Sequence, residues 1–512
     1  MLSDTVGLEM KRIFLVSSFS LAIISAAGMP AEAQAVFLNP NGTGQVLVFP
    51  YYTVNADNIT LLTLTNSTNQ GKAIKVRILE GYNSRDVLDF NLYLSPQDMW
   101  AGAVIAKGGG AAIFTPDSSC TVPKLPNTGD AALAFSTAAF DGSTQQGKDG
   151  GPTDVSRTLE GHIEVIEMGT VTNAARGSLD AIAHAGQPKG APADCTQISN
   201  AWGAGGYWTA NPQTDIGPAS GGLSGLASIV NVGQGTIQGY TADAIAQFYQ
   251  PGTSGVHTDQ AALTPNIASG TSLTSLTYPG EAAVASSFAN AIDAVSSLFM
   301  AETMHNEFWT ANSIAASSEW VVTFPTKRFY TDPYYVNQQA KMPFARTFGS
   351  ADFEPATSCD RVSEGAYDRE AYQKAYLEPT LPPGGWGYWL CHATQIVAFS
   401  QGAKSSSRIL GSRLTEPFLN PTAHTQAPQD FFDYLPGDAG WARISFVRAG
   451  LEDRVALKAT NGNTFLGLPV TGFLATQLIN GSAGGAGVLA NYTAQYRHKY
   501  SVRCVNGTGL CS

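Results

Sequence analysis

The sequence predicts an all-β protein: an N-terminal immunoglobulin-like β-sandwich, then a larger loop-rich β region with a few short helices, stapled by disulfides. Three observations carry this reading. Residues 36–115 alternate apolar and polar side chains with period two, turn-forming clusters separate the runs, and six cysteines are spread along a chain with only one extended helical pattern.

The first segment reads as a leader. Lys11 and Arg12 precede the apolar run "IFLVSSFSLAIISAAGM" and the small-residue stretch "AEAQA". This is the order of a secretory signal peptide, with Met10 the expected start and cleavage expected after Ala33 or Ala35. The run contains serines and ends at Pro30, too short for the roughly 20 apolar residues of a membrane anchor. No later stretch reaches that length, so the mature chain (36 onward) is expected to carry no transmembrane segment. Residues 1–35 are therefore set apart from the fold.

In 36–115, "KAIKVRIL" sets Ile74, Val76 and Ile78 against Lys75 and Arg77, and "DVLDFNLYL" sets Leu88, Phe90, Leu92 and Leu94 against Asp89, Asn91 and Tyr93. Period two with one apolar side is a half-buried strand. "GQVLVFPYYTV" and "NITLLTLTN" precede them, with "STNQGK", "GYNSR" and "LSPQD" supplying turns. Short strands at this spacing point to a small immunoglobulin-like sandwich. Lys72, Lys75 and Arg77 flank one candidate strand and would oppose pairing with a second copy.

Residues 116–310 read as a central β region with long loops and one helix. "TPDSSCTVPKLPNTGD" and "DGSTQQGKDGGPTD" are loop-like around a strand-like "AALAFSTAAF"; "GSLDAIAHAG" could be helical. "LASIVNVGQGTIQGYTADAIAQFY" reads as a hairpin turning at "GQG", and "EAAVASSFANAIDAVSSLFMAETMHNEF" as the one long helix. Residues 311–512 form a C-terminal β region with strands at "SEWVVTF", "QIVAFS", "ARISFVRA" and "GLPVTGFLATQLI". Three separate sandwiches are the alternative arrangement.

In an exported chain Cys120, Cys195, Cys359, Cys391, Cys504 and Cys511, with no C-x-x-C, read as disulfides rather than zinc ligands. Six cysteines allow 15 connectivities. Sequential pairing is expected, because each bond then closes a loop within one region. Charged residues are only 13% of the chain and the net charge is −11, with no basic cluster after residue 12. Nucleic acid and anionic membranes are poor partners for such a surface.

The stretch "GHIEVIEMG" (161–169) holds a histidine and two glutamates in an apolar run. As a helix, Glu160, Glu164 and Glu167 would repel on one stripe; β-branched Ile163, Val165 and Ile166 favour a strand. His162 and Glu164 then share a face, roughly 6.5–7 Å apart. Two groups do not complete a zinc site, so the expectation is a solvated or inter-strand polar face, with a ligand or catalytic role as the alternative. "SCDRVSEGAYDREAY" places Asp360, Glu364, Asp368 and Glu370 beside Cys359. An acidic loop there could hold calcium, although Arg361 and Arg369 point to a surface ion-pair loop. Apart from that calcium, no cofactor is expected. "NAWGAGGYWT" and "LPPGGWGYWLCH" set Trp202, Trp208, Trp386 and Trp389 among glycines. They are candidates for stacking on sugars or anchoring a partner, against the plainer reading that they fill core beneath loops.

Nucleophile and nucleotide motifs are missing: "GLSGL" and "GTSGV" fail G-x-S-x-G at the last glycine, and no Walker or dinucleotide glycine pattern occurs. "GQVLVFPYYTVN", "AIKVRILEGYNSRDVLDFNLYLSPQDMW", "EGHIEVIEMG", "EWVVTFPTKRFY" and "GLPVTGFLATQLING" with "GGAGVLANY" resemble a family of exported proteobacterial proteins known only as cell surface proteins, with no biochemical function attached. The resemblance spans nearly the whole mature chain and implies a cell-surface or extracellular location; the periplasm is the alternative destination for an exported chain. The expected function is thus an exported surface or matrix protein with a structural or binding role, toward an unknown surface partner or itself. The alternatives are a carbohydrate-binding protein using the Trp/Tyr loops, or a secreted hydrolase with an unrecognised carboxylate site.

Overall fold

A computed structural model describes residues 35–511 except 188–189, 273, 281, 337–340, 345–356, 373–387, 400–406, 418–434, 448–454, 481–489 and 508. Its described part is mostly strand, with short helices between strands.

The alternating segments of the first half become β1 (Phe37–Leu38), β2 (Val46–Thr53), β3 (Asn58–Asn66), β4 (Gly71–Glu80), β5 (Asp86–Leu94), β6 (Met99–Lys107) and β7 (Gly110–Phe114). They continue as β8 (Cys120–Val122), β9 (Leu133–Ala134), β10 (Glu160–Val171), β11 (Ile216–Gly217), β12 (Leu223–Asn231), β13 (Thr236–Thr241) and β14 (Asp243–Ala246). Helices α1 (Ser178–Ile182), α2 (Cys195–Ala201) and α3 (Tyr207–Ala210) lie between β10 and β11. One sheet runs β1-β14-β2-β10-β4-β5-β8 with β11 on β10; the other runs β13-β12-β3-β6-β7-β9. The β12–β13 hairpin turns at the "GQG" sequence as expected.

Ile74, Val76 and Ile78 of β4 and Ile163 and Val165 of β10 share one buried cluster with Leu62, Leu64, Trp100 and Val104 of the other sheet. The expected apolar sides therefore form a sandwich interior. The boundary expected at 115 is corrected: β10 lies between β2 and β4, so residues 36–115 cannot close a sheet without a strand from 160–171. With 8 and 6 strands, the sandwich also exceeds the seven to nine of an immunoglobulin domain.

The second half contains β15 (Ser275–Thr277), β16 (Val284–Ser286), α4 (Ala291–Phe299), β17 (Met300–Ala301), β18 (Thr303–Trp309) and β19 (Ala316–Thr323). Then come α5 (Arg328–Thr331), α6 (Pro333–Val336), β20 (Asp360–Asp368), β21 (Tyr388–Leu390), β22 (Thr394–Phe399), β23 (Thr415–Pro417) and β24 (Ala439–Ser445). The last strands are β25 (Ala456–Lys458), β26 (Thr464–Leu466), β27 (Leu468–Pro469), β28 (Thr471–Ile479), β29 (Asn491–Arg497), β30 (Lys499–Ser501), β31 (Arg503–Asn506) and β32 (Gly509–Leu510). Two five-stranded sheets, β21-β20-β24-β18-β30 and β23-β22-β19-β28-β29, dominate this half.

The long helix expected over 281–308 is reduced to α4. Past Met300 the chain pairs as strand, with Met304 and Phe308 in the core and β18 hydrogen-bonded to β24 and β30. The boundary at 310 therefore also falls inside a sheet. The β22-β19-β28 layer is buried on both faces. Trp320, Val322, Val397 and Leu474 join the second half's core, while Val321, Ile396, Phe473 and Ala475 join the first sandwich's interior. This shared layer replaces the expected separate regions, and residues 34–512 form one compact unit.

The disulfides are Cys120–Cys195, Cys359–Cys391 and Cys504–Cys511, the sequential pairing. Among the described residues no helix is long and apolar enough to cross a membrane.

Candidate functional site

The polar sides of β4, β5 and β10 form the outer face of the eight-stranded sheet. Register places Glu164 opposite Arg77, and Arg77 opposite Asp89. His162 and Glu164 are both 0% exposed, which corrects the solvated half of the expectation; of its two forms, the face is the inter-strand one. The alternation is as read, but the 258–265 segment and α5 lie on it.

The charges on this face meet partners from the covering chain or from a neighbouring strand. Both Nη2 contacts of Arg328, from α5, reach the Glu164 carboxylate at 2.9 and 3.0 Å. Lys75 donates to the carbonyls of Asp259 and Ala262 at 2.8 and 2.7 Å. Arg77 donates to the Leu263 carbonyl and pairs with Asp86 and Asp89. Lys72 bonds Glu167 at 2.7 Å. Lys72, Lys75 and Arg77 are therefore not edge charges opposing self-association: β4 lies between β10 and β5, and all three are buried.

Burial dominates the electrostatics. It raises the Glu164 carboxyl, opposed by Arg328 and Arg77, and raises Asp89 to about 7. It lowers Lys75 to about 8. His162 falls to about 3, through burial and then the Arg328 charge, so its ring is neutral at ordinary pH. His162 Nδ1 lies 3.3 Å from the Thr394 hydroxyl.

At the end of β4 and β10, a cavity of about 270 Å³ is lined by Tyr82, Arg157, Glu160, His392 and Arg413 among others. Beside it Glu80 accepts the N–H groups of Tyr82, Asn83 and Arg85 at 2.7–3.0 Å. The same carboxylate pairs with Arg157 at 2.9 Å, and Arg157 also pairs with Asp149. The Arg157 guanidinium lies 4.4 Å from the Phe140 ring centroid and 5.0 Å from that of Tyr82. Tyr82 meets His392 edge-on at 4.6 Å, and burial lowers His392 to about 3. Gly161 opens the motif for a steric reason: a Cβ there would lie 1.9 Å from the Leu79 carbonyl oxygen, where the β10–β2 register shifts.

A recurring device emerges. Glu160 accepts from Tyr51, Asn55, Ser412 and the Arg413 N–H. Glu319 accepts from the Ser407 hydroxyl and the N–H groups of residues 408–410. Glu167 accepts the N–H groups of Ser220 and Gly221 besides Lys72. In Glu80, Glu160, Glu164, Glu167 and Glu319 both carboxylate oxygens are taken by donors of the fold. Such groups hold loops against sheets, satisfying backbone donors that would otherwise be buried unpaired. They present no open acid or base to a substrate.

The other sequence candidates fall elsewhere. Trp208 is buried and stacks on Tyr93 at 5.0 Å; half-buried Trp202 lies 5.6 Å from Trp208 and donates to the Tyr93 hydroxyl at 2.8 Å. Both fill the space under α2 and α3, so neither is a sugar platform. Trp389 is half-buried beneath the Arg361 guanidinium, and Trp386 lies outside the described residues. The expected acidic loop is strand β20, which spreads Asp360, Glu364 and Asp368 along its length; Asp360 approaches Lys327 at 3.6 Å. Among the described residues no group of three His, Cys, Asp or Glu side chains is placed to hold a metal.

Sequence reasoning missed Arg157, Arg328, Glu80 and Glu319. The available signal was scarcity: in so uncharged a chain, ions set among apolar residues, as in "FPTKRFY", need partners. Compared with known protein families, curated proteins and solved structures, the chain finds no match.

Proposed function

We propose that this is an exported cell-surface or extracellular-matrix protein with a structural or binding role, and not an enzyme. The observation that carries the reading is the commitment of five buried glutamates, Glu80, Glu160, Glu164, Glu167 and Glu319: each has both carboxylate oxygens bonded within the fold, and the nearby histidines are held neutral by burial. Catalytic acids and bases need a proton to exchange with a bound substrate. Three disulfides fit an oxidising, exported environment, and the "IFLVSSFSLAIISAAGM" leader fits the same route.

The test is to express the full chain in a bacterial host and follow its N-terminus and its accessibility. Mass spectrometry should show processing after Ala33 or Ala35, and external protease should digest the protein on intact cells. An unprocessed chain retained in the cytoplasm with reduced thiols would sink this reading.

A further inference from the structure

The second half opens along one side into a groove of about 520 Å³, within the size range of small-molecule sites. Trp309 and Glu307 of β18 and Lys499 of β30 line it together with Leu474, Thr476 and Gln477 of β28 and Tyr496 of β29. These groups sit on hydrogen-bonded strands, so the strand backbones set their spacing.

Its two rings are unlike the tryptophans under α2 and α3. Trp309 is 49% exposed and Tyr496 55%, and among the described residues neither ring stacks on another. The polar groups around them are half-open too. Lys499 and Glu307 pair at 2.7 Å with both side chains about half exposed. Among the described residues the Ser317 hydroxyl, also in the groove, has no hydrogen-bond partner.

We propose that this groove binds a neutral glycan chain. The C–H faces of a pyranose ring are apolar and stack on exposed Trp and Tyr rings, which offer large rigid contact area at low entropic cost. Its hydroxyls are paired donors and acceptors, which an ammonium, a carboxylate and a serine hydroxyl together satisfy. Among the described residues the charged groups lining the groove are Glu307 and Lys499, which neutralise each other, so the site favours no ionic ligand. An added peptide strand fits less well. The free edge of β29 is already met by the first sandwich, through Asn491 to the Gln234 carbonyl at 2.7 Å and Thr493 to the Ile237 carbonyl.

This inference rests on the surface-binding role proposed above and names its ligand class. The test is affinity electrophoresis of the processed, disulfide-bonded protein in gels containing soluble β-glucan, galactomannan or xylan, with polygalacturonate as the acidic comparison. At least one neutral polysaccharide should retard the protein, and Trp309→Ala and Tyr496→Thr should each weaken that retardation by about tenfold or more. Trp202→Phe, in the aromatic cluster under α2 and α3, should leave it unchanged. Tyr496→Thr keeps β-propensity on an exposed strand, so its effect can be read at an unchanged melting temperature even where Trp309→Ala melts lower. Retardation by none of the neutral polymers, retardation by polygalacturonate alone, or retardation of both groove variants equal to the parent's would overturn the proposal. A protein found on intact cells that binds none of them refutes the groove and leaves the surface reading standing; one that binds in the gel but stays in the cytoplasm refutes only the surface reading.

Discussion

On the outer face of the eight-stranded sheet, Lys75, Arg77, His162 and Glu164 lie beneath the 258–265 segment and α5, out of reach of water. On the outer face of the six-stranded sheet, Leu61, Met99, Leu226 and Ile237 stand 41–55% exposed, across a register that sets Leu226 opposite Thr63 and Ser228 opposite Leu61. The charged face is interior and the aliphatic one is surface. Polarity along a strand says which residues share a face; what docks on that face decides whether it meets solvent. The buried face is stable only because every charge has a partner, since the desolvation of each ion costs several kcal/mol. The exposed face costs little, because isolated surface aliphatics are ordinary.

The sharpest way to break this contrast is to remove one partner. Arg328→Met leaves Glu164 buried without its guanidinium and should lower stability by about 3–5 kcal/mol in urea unfolding, whereas the double variant Arg328→Met/Glu164→Leu should recover most of the loss. A single variant within about 0.5 kcal/mol of the parent would mean the face is wet and the comparison false.

The next largest effect concerns the cover itself. Cys120–Cys195 ties β8 to α2, whose Trp202 closes over Tyr93 on the same outer face. Replacing both cysteines by serine should cost about 2–4 kcal/mol, measured as the shift in denaturation midpoint. A loss no larger than that from opening the shorter Cys504–Cys511 loop would argue that the cover is held by packing alone.

Titration sharpens the contrast further. His162 is held to about 3 by burial, below its unfolded value near 6.5. The unfolded chain therefore binds a proton that the folded chain refuses. Stability from this group is fully present above about pH 6.5 and is lost as pH falls toward 3, at about 1.4 kcal/mol per pH unit. His257, His392 and His498, lowered to about 4, 3 and 3 by the same cause, act in the same direction. His162→Gln should flatten the acid slope of stability between pH 6 and 5 by one proton's worth; an unchanged slope would place that ring in water.

The smallest effect belongs to the open face. Leu226→Thr and Ile237→Thr should each change stability by less than about 0.5 kcal/mol. A loss of several times that amount in thermal melts would mean that this face, too, is covered in solution.

Legibility followed the range of the interactions. The β4 and β5 alternation, the β12–β13 hairpin and the strand character of "GHIEVIEMG" were readable because side-chain period and turn chemistry are local. The α4 region misled because the helical spacing expected over 281–308 is realised only over Ala291–Phe299, while β16 pairs with β15 before it and β18 pairs with β24, more than a hundred residues away, after it. The acidic run at 360–370 misled for a related reason: β20 pairs with β24, converting a plausible loop into a sheet strand. Within the candidate site, His162 and Glu164 were visible as a pair on one face, but their partners Arg328 and Thr394 lie 164 and 232 residues away in sequence.

By itself, the amino-acid sequence determined the all-β class, the face each strand residue occupies, the disulfide-compatible spacing of the cysteines and the low surface charge, because periodicity and composition act residue by residue. Only the tertiary structure decided that β10 inserts between β2 and β4, that the β22-β19-β28 layer joins both cores, and that a charged face is dry while an aliphatic one is wet. Those outcomes depend on which surfaces meet after the strands have formed. The free energy of burying an ion is set by the partner that arrives from elsewhere in the chain, and no local pattern encodes that partner.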